Sequence, residues 1–266
     1  MKGDSAAVPP PPHPWRLLTT GHHNGFYNMG LDEALLEAVS SGASLPVLRF
    51  YGWKPPAVSV GYFQGLEEEV DLEACARYGV DVVRRISGGG AVFHDQEITY
   101  SLIMPVSHVL AGTGILESYR TLCSGITSAL SRLGIAAEFV PINDILAGGR
   151  KVSGNAQTRR QGCVLQHGTV LLDLNPELMF ELLKVPEEKM KGKLISDVKA
   201  RVSGLRPLLG RDVSFDEGIN ALAEGFKEQL RLDFVSLETA PSPEEEARAL
   251  TLSRDKFGSL SWLKRR

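Results

Sequence analysis

Residues 84–95 read Arg-Arg-Ile-Ser-Gly-Gly-Gly-Ala-Val-Phe-His-Asp, and apolar runs typical of β-strands flank this glycine cluster at 81–86 and 98–104. Consecutive glycines let backbone N–H groups approach a ligand closely and adopt positive φ angles. Two arginines beside such a loop can neutralise a phosphate or a carboxylate. The same residues also fit a glycine-rich turn beside solvated arginines. A strand–loop–strand unit is predicted here, and anion binding is one of its two interpretations.

Two common nucleotide-binding motifs are absent from this loop. The Rossmann fingerprint needs Gly-x-Gly-x-x-Gly at the start of a helix, and the P-loop needs Gly-Lys-Ser/Thr after the glycines. Residues 84–95 contain neither pattern. A phosphate bound at this loop would therefore be bound by neither of these two motifs.

Outward from this unit, apolar spacing predicts helices and strands in mixed order. Towards the N-terminus, Leu31 and Leu35 share a helix face, and runs at 47–50 and 57–62 predict strands. The N-terminal half is therefore predicted to contribute both strands and helices to one mixed structure.

Towards the C-terminus the same analysis predicts one long helix and further strands. Apolar residues at helical spacing cover 115–133, Gly148-Gly149 predicts a hairpin, and 164–174 predicts a strand. Residues 185–266 are predicted to be mostly helical. The fold class is therefore α+β, with a mixed or antiparallel sheet flanked by helices.

Composition indicates a globular protein of ordinary type. Of 266 residues 43% are hydrophobic and 23% charged, and a net charge of -3 gives no reason to expect nucleic acid or an anionic membrane as partner. Residues 1–14 end in a proline run and are predicted to form a disordered arm, so the fold should begin near Trp15. Neither a signal peptide nor a run long enough to span a bilayer is found.

The chain contains three cysteines, Cys75, Cys123 and Cys163, at wide and unmatched spacings. They form no disulfide framework and no zinc-binding pattern, so a reducing cytoplasm is the predicted location. Cys75 and Cys123 fall on apolar helix faces and are predicted to be core residues.

Two further stretches carry polar residues on predicted strands. Residues 150–157 read Arg-Lys-Val-Ser-Gly-Asn-Ala-Gln, and Lys151 can present a compact positive charge to an anion, although most strand lysines are simply solvated. Residues 165–172 read Leu-Gln-His-Gly-Thr-Val-Leu-Leu, where a close approach at Gly168 is indicated. Taken alone, His167 fits a buried, hydrogen-bonded histidine.

In order and spacing, the three stretches together with Asn143-Asp144 resemble the catalytic domain of the lipoate-protein ligase and octanoyltransferase family. Residues 48–51 and 61–64 also resemble early strands of that family. The resemblance runs from about Trp15 to the last helix. It implies a single biotin/lipoate-ligase-like catalytic domain over 15–266 with a short helical C-terminal tail.

The family's chemistry implies roles for these residues. Lys151 is implied as the catalytic residue that contacts the acyl carboxylate and the α-phosphate of ATP, and Asp144 as a ligand of Mg²⁺ or of the adenosine. The substrate- and nucleotide-binding positions implied by the motifs are Arg85, Ser87, Gly88, Gly89, Gly90, Ala91, Val92, Phe93, His94, Asp144, Gly154, His167 and Gly168.

The activity so implied is ATP-dependent acylation of a protein lysine. Lipoate or octanoate would form an acyl-adenylate with ATP and Mg²⁺, and the acyl group would pass to a lysine of a lipoyl domain. The implied acceptors are E2 subunits of 2-oxoacid dehydrogenases or the glycine cleavage H protein. Larger ligases of the family carry a separate C-terminal domain, so an accessory chain with that domain is an implied partner.

The family also implies an alternative, an ATP-independent octanoyltransferase that takes octanoate from acyl carrier protein through a cysteine thioester. One group of transferases has its nucleophile before the lysine and another well after His-Gly, but 138–144 and 173–266 contain no cysteine. Cys163 is then the candidate nucleophile, and a structural cysteine is the competing interpretation. A biotin ligase is disfavoured because its Gly-Arg-Gly-Arg loop is absent, and a non-catalytic lipoyl-domain-binding subunit is the remaining alternative.

Overall fold

The computed structural model describes residues 13–184 and 191–266. Most of the predicted proline-rich arm, residues 1–12, lies outside the described residues. His13 and Pro14, which the sequence analysis assigns to the arm, belong to the first strand. Within the described ranges, no helix combines the length and the apolar character needed to cross a bilayer.

The fold is built on a large sheet of eight strands. Its members in chain order are β1 (His13–His23), β2 (Val47–Trp53), β6 (Glu97–Pro105), β7 (Ala137–Val140), β8 (Asp144–Ala147), β9 (Arg150–Arg160), β10 (Cys163–Leu171) and β11 (Leu232–Glu238). In space they follow the order β11-β1-β2-β6-β10-β9-β8-β7. β1 runs parallel to both of its neighbours and the other pairs are antiparallel, so the predicted mixed sheet is confirmed.

A second, smaller sheet contains the strands that flank the glycine loop. It consists of β3 (Ala57–Val60), β4 (Asp81–Arg84) and β5 (Val92–His94), in the order β4-β3-β5. The sequence predicts β3 and β4, at 57–62 and 81–86, but not the three-residue strand β5. The strand predicted at 98–104 lies in the large sheet as β6. Because β4 and β5 both pair with β3, the glycine loop is held at the end of this small sheet.

Helices cover both faces of the large sheet. The helices are α1 (Gly25–Ser40), α2 (Leu66–Glu69), α3 (Leu72–Tyr78), α4 (Ile115–Arg132), α5 (Pro176–Leu182), α6 (Lys191–Arg201), α7 (Leu205–Leu209), α8 (Phe215–Leu230), α9 (Pro243–Leu252) and α10 (Leu260–Leu263). α4 and α8 pack on one face with Leu48 and Phe50 of β2, while α1 and α9 pack on the other with Val47 and Tyr51. β2 is buried along its whole length for this reason.

Local sequence signals explain several of these boundaries. Asp71 caps α3, and Gly79 ends it in the left-handed conformation. Gly148 and Gly149 both have positive φ and form the predicted hairpin between β8 and β9. Ser242 forms a capping box with Glu245 at the start of α9.

The C-terminal region departs from its prediction in one respect. Residues 185–266 are predicted to be mostly helical, and α6 to α10 agree, but β11 is a strand at the edge of the large sheet. It follows α8 directly, because Arg231 adopts a left-handed conformation with a φ of 56° and reverses the chain without a glycine. Residues 185–190 lie outside the described residues.

Candidate functional site

A cavity of about 340 Å³ lies between the glycine loop, β9, β10 and the α5–α6 region. Eleven of the positions predicted from the motifs line it: Arg85, Gly89, Gly90, Ala91, Val92, Phe93, His94, Lys151, Gly154, His167 and Gly168. Three stretches that are far apart in sequence therefore meet around one space.

One wall of the cavity is apolar and was not predicted. Its side chains are Met29, Leu171, Leu174, Met179, Leu183, Val198 and Val202. Several of them come from α5, α6 and the loops next to these helices, which carry no motif. An aliphatic ligand would be buried against this wall at about 0.8 kcal/mol per CH₂ group.

Arg85 is buried inside the site and is held by oxygen atoms of the backbone. Its guanidinium donates to the carbonyls of Ser59 at 3.0 Å, Gly88 at 2.8 Å and Gly90 at 2.7 Å. Burial lowers the pKa of Arg85 to about 10, still well above neutral pH. The side chain thus brings a fixed positive charge to the cavity, and no carboxylate of the described residues is paired with it.

The glycine loop is shaped by contact with a neighbouring loop. A Cβ added at Gly61 would lie 2.0 Å from the carbonyl oxygen of Gly89, so these backbones touch directly. Gly89 has a φ of 96°, a value that side-chain-bearing residues rarely adopt. Gly88 does not line the cavity, but its carbonyl orients Arg85.

Lys151 lies at the rim, on β9, and its Nζ pairs with Asp144 on β8 at 2.7 Å. Both side chains are partly exposed, at 41% and 33%. A Cβ at Gly154 would lie 3.0 Å from the Lys151 Nζ, so the lysine end packs against this glycine. The backbone carbonyl of Lys151 also accepts the amide of Ser203 at 2.9 Å, which ties the strand to the end of the α6 region.

Beneath the cavity lies a buried ionic network that the motifs do not reveal. The Asp32 carboxylate accepts hydrogen bonds from Arg49 at 2.7 Å, Tyr51 at 3.0 Å and Ser101 at 2.9 Å. Burial alone would raise the pKa of Asp32, but the bond from His167 and the charge of Arg49 outweigh burial and lower it. Asp32 is therefore ionised.

His167 connects this network to the cavity. Its Nδ1 lies 3.3 Å from Asp32, and its Nε2 lies 2.6 Å from the Ser87 hydroxyl. A carboxylate can only accept, so Nδ1 carries the proton and Ser87 donates to Nε2. Burial lowers the pKa of His167, which keeps the ring neutral at pH 7. Ser87 thus acts beneath the cavity, where it orients His167, and it does not line the wall.

A second chain of hydrogen bonds contains His94. Its Nε2 lies 2.7 Å from the Ser59 hydroxyl and its Nδ1 lies 2.7 Å from the Glu97 carboxylate. The ring also stacks on Trp53 at 4.1 Å between centroids. Ser59 and His94 line the cavity, whereas Glu97 lies behind them.

Asparagines shape the cavity next to Lys151. The Asn155 side chain accepts the Tyr100 hydroxyl at 2.6 Å and donates to the Asn143 carbonyl at 2.9 Å. A Cβ at Gly168 would lie 2.1 Å from the Asn155 side-chain oxygen. The close approach predicted at Gly168 is made by the side chain of Asn155.

All three cysteines lie within the described ranges, and none of them lines the cavity. Cys163 is buried in the core against α1, and burial raises its thiol pKa. Burial also raises the thiol pKa of Cys75 to about 11 and that of Cys123 to about 12. The thiolate form that a nucleophile requires is disfavoured at each of them.

Asp144 does not line the cavity and reaches it only through its ion pair with Lys151. Over residues 13–184 and 191–266, no group of three or more His, Cys, Asp and Glu side chains is arranged to hold a metal ion. A cation bound at Asp144 would thus need its other ligands from water or from a phosphate. The Mg²⁺ role of Asp144 stays a prediction.

The model of the "Lipoyl protein ligase A/B catalytic domain" matches residues 24–227, a span that contains the glycine loop, Lys151 and His167. The chain belongs to this family. The match covers all three motif stretches, so the family resemblance seen in the sequence is confirmed.

Relatives within the lipoyl protein ligase A/B family include octanoyltransferases. Octanoyltransferase LipM of Geobacillus kaustophilus is 39% identical over 271 residues, covering 93% of this chain and 97% of that protein. Octanoyltransferase LipM of Symbiobacterium thermophilum is 38% identical, also covering 93% and 97%. This chain is therefore an enzyme of lipoyl or octanoyl transfer.

Solved structures of the family include lipoate ligases. A bi-partite lipoate protein ligase from Thermoplasma acidophilum, studied with its E2 lipoyl domain, has a TM-score of 0.84 at 30% identity, covering 95% of this chain and 96% of that one. A lipoate-protein ligase A bound with ATP has a TM-score of 0.79 at 32% identity, covering 94% and 98%. The predicted α+β ligase-like fold is therefore confirmed.

Proposed function

We propose that this enzyme activates octanoate or lipoate as an acyl-adenylate and transfers the acyl group to the target lysine of a lipoyl domain. The observation that carries the proposal is a cavity with an apolar wall, two cationic side chains and no cysteine. E2 subunits of 2-oxoacid dehydrogenases and the glycine cleavage H protein are the proposed acceptors.

The apolar wall and the cations suit the two ends of the acyl substrate. An eight-carbon chain would lie against residues such as Met179 and Val202, and its carboxylate would approach Arg85 and Lys151. Attack of that carboxylate on an α-phosphate builds negative charge, which two cations in a partly enclosed site offset. ATP would supply the activating adenylyl group, and Mg²⁺ would offset further phosphate charge.

Activation without a cysteine favours an adenylate over a thioester-linked enzyme intermediate. A thioester intermediate needs a thiolate facing the substrate. Cys163 is buried against α1 with a raised pKa and lies off the cavity wall. An adenylate is instead attacked directly by the acceptor lysine and needs no nucleophile from the enzyme.

The second candidate is an ATP-independent octanoyltransferase that takes the acyl group from octanoyl-acyl carrier protein. The names of the curated relatives favour this activity over the ATP-dependent one. Since no cysteine lines the cavity, the acceptor lysine would then attack the carrier thioester directly. Both candidates use the apolar wall for the acyl chain and a lipoyl domain as acceptor, and only the first assigns Lys151 to a carboxylate and an α-phosphate.

One set of incubations distinguishes the candidates. The full chain is mixed with an unmodified lipoyl domain and lipoate plus ATP–Mg²⁺, octanoate plus ATP–Mg²⁺, or octanoyl-acyl carrier protein without ATP, and intact-mass spectrometry reads the acceptor. We expect acylation in the first two mixtures. A control acceptor whose target lysine is replaced by arginine should stay unmodified.

Each other outcome has a definite meaning. Acylation in the third mixture alone would establish the octanoyltransferase and reject the adenylate. Acylation with free acid only when a separate C-terminal-domain chain is added would retain the adenylate and establish the accessory partner. No acylation in any mixture, with the accessory chain present, would leave a lipoyl-domain-binding subunit.

A further inference from the structure

Ser59, His94 and Glu97 form a buried chain that acyl activation does not use. The Ser59 hydroxyl, the His94 ring and the Glu97 carboxylate are joined by two contacts of 2.7 Å. All three residues are more than nine-tenths buried, yet Ser59 and His94 contribute to the cavity wall. In this arrangement the imidazole can act as a base towards the hydroxyl, and the carboxylate fixes the orientation of the ring.

The direction of every hydrogen bond in this chain can be assigned. The Thr99 hydroxyl donates to Glu97 at 2.7 Å and in turn accepts from the Trp53 indole at 2.8 Å. A carboxylate only accepts, so His94 donates to Glu97 from Nδ1 and leaves Nε2 as an acceptor. Ser59 then donates to Nε2.

Arg85 completes the chain at the cavity end. Its Nη1 donates to the Ser59 hydroxyl at 3.1 Å, so that hydroxyl both accepts from Arg85 and donates to His94. The ring nitrogen Nε2 is thus a proton acceptor that reaches the cavity through one hydroxyl group. Glu97 would stabilise the imidazolium that forms, because its Oε1 lies 2.7 Å from Nδ1.

Other titratable groups surround the pair. Arg85 and His167 face His94 from the small sheet and from β10, and a charge on either would oppose protonation of the ring. Asp95 and Tyr51 face Glu97 on the other side, where Tyr51 is an uncharged phenol because burial raises its pKa well above 10. The carboxylate in contact with the ring is the nearest of these charges and favours the imidazolium.

We propose that Ser59, His94 and Glu97 accept the proton that the attacking lysine of the lipoyl domain must lose. The inference rests on the proposed function, since it concerns the amine step of the same transfer. The lysine nitrogen forms a bond to the acyl carbon, and the bond from that carbon to AMP, or to the carrier sulfur, breaks. The amine proton passes to the Ser59 oxygen while the Ser59 proton passes to Nε2 of His94.

The test measures transfer from preformed acyl-adenylate to the lipoyl domain as a function of pH. We expect kcat to fall on the order of 10²- to 10⁴-fold in His94→Gln and in Ser59→Ala at neutral pH, with little change in the KM for the acceptor. The ratio of the wild-type kcat to the variant kcat should decrease as pH rises, because the acceptor lysine then loses its proton to solvent. A merely structural defect would lower the rate by one factor at all pH values.

Ser118→Ala is the matched control. Ser118 is equally buried, donates a hydrogen bond within α4 and lies away from the cavity. Transfer by this variant should equal that of the wild type. Glu97→Gln should resemble His94→Gln in its pH profile, since the amide cannot stabilise an imidazolium.

Two further measurements test the proposal without relying on the rate of acyl transfer. The nitrogen NMR spectrum of the free enzyme should show His94 as the Nδ1–H tautomer, and an Nε2–H tautomer would overturn the chain even if no acceptor is found. An octanoyl or lipoyl ester on Ser59, seen by peptide mass spectrometry during turnover, would also overturn the proposal, because Ser59 would then be a nucleophile. Acylation by the wild type with pH-independent losses in the variants would reject the proton chain and keep the proposed function.

Discussion

The cavity has two ion pairs that differ in burial: Asp32 with Arg49 beneath it, here called the floor, and Lys151 with Asp144 at its edge, here called the rim. On the floor, Asp32 and Arg49 are buried, and the carboxylate of Asp32 accepts bonds from several side chains. On the rim, Lys151 and Asp144 are partly exposed and share one ion pair. The floor is therefore organised before any substrate binds, whereas the rim can rearrange around one.

The difference follows from the cost of separating charges in each environment. A solvent-exposed ion pair contributes about 0–1 kcal/mol, so Lys151 can leave Asp144 for an anionic substrate at little cost. A buried charge that loses its partner costs about 3–5 kcal/mol. Single substitutions on the floor should therefore change mainly the free energy of unfolding, and those on the rim mainly the rate of acyl transfer.

The largest effect is expected at the floor. Asp32→Asn should lower the free energy of unfolding by about 3–5 kcal/mol, because Arg49 would remain buried without its counter-ion. Urea denaturation measures this loss. Asp144→Asn is the matched control at the rim and should cost about 1 kcal/mol or less. Equal losses of unfolding free energy in the two variants would contradict the difference proposed between the floor and the rim.

The next effect concerns transfer rather than folding. Lys151→Ala should lower kcat/KM on the order of 10²- to 10³-fold, because a cation that offsets transition-state charge is removed. Its denaturation midpoint should match that of the wild type. The exposed Lys227 on α8 offers a control, since Lys227→Ala removes the same charge away from the cavity. Turnover of Lys151→Ala close to that of the wild type would reject the catalytic role of this lysine.

A smaller effect is expected on acidification. Burial holds the pKa of His167 below its ordinary value of 6.5. The unfolded chain therefore binds more protons at this position as pH falls through 6.5, and the free energy of unfolding should decrease there. Stability measured between pH 8 and pH 5, about the range in which histidine titrates, should show this loss in the wild type and a reduced loss in His167→Gln. An identical pH slope in both would assign the acid sensitivity to other groups.

The smallest effect is expected at Cys163. Cys163→Ser should leave acyl transfer unchanged, because the thiol is buried away from the cavity and an adenylate requires no enzyme thioester. Its cost should appear only as about 1 kcal/mol of stability. Cys123→Ser, also in the core, is the matched control. Loss of transfer in Cys163→Ser alone, with an acyl adduct on the wild-type thiol, would instead support an octanoyltransferase that works through a Cys163 thioester.

The rim could be predicted from the sequence because its residues stand in motifs. Lys151 and the glycine loop each lie in a short stretch whose residue types already fit anion binding. The floor could not be assembled in this way. Its signal was present, since Asp32 and Arg49 interrupt apolar segments, and charges in such segments must be paired. Sequence spacing does not say which charge pairs with which.

Two elements escaped prediction for different physical reasons. β11 has no turn residue before it, because Arg231 takes the left-handed conformation that usually marks a glycine. The apolar wall depends on tertiary placement, since Val198 lies in α6 among lysines and has no sequence feature that directs it to the cavity. Both are cases where the local signal is weak and packing decides.

The hydrogen bond from the Ser203 amide to the Lys151 carbonyl joins β9 to the segment that carries Val202. Val202 belongs to the apolar wall, so a ligand in the cavity would contact the same short segment. Deuterium uptake at the Ser203 amide should therefore slow when the cavity is filled. Inhibitor screening could then be carried out on the unlabelled enzyme, without an acceptor protein and without a turnover assay.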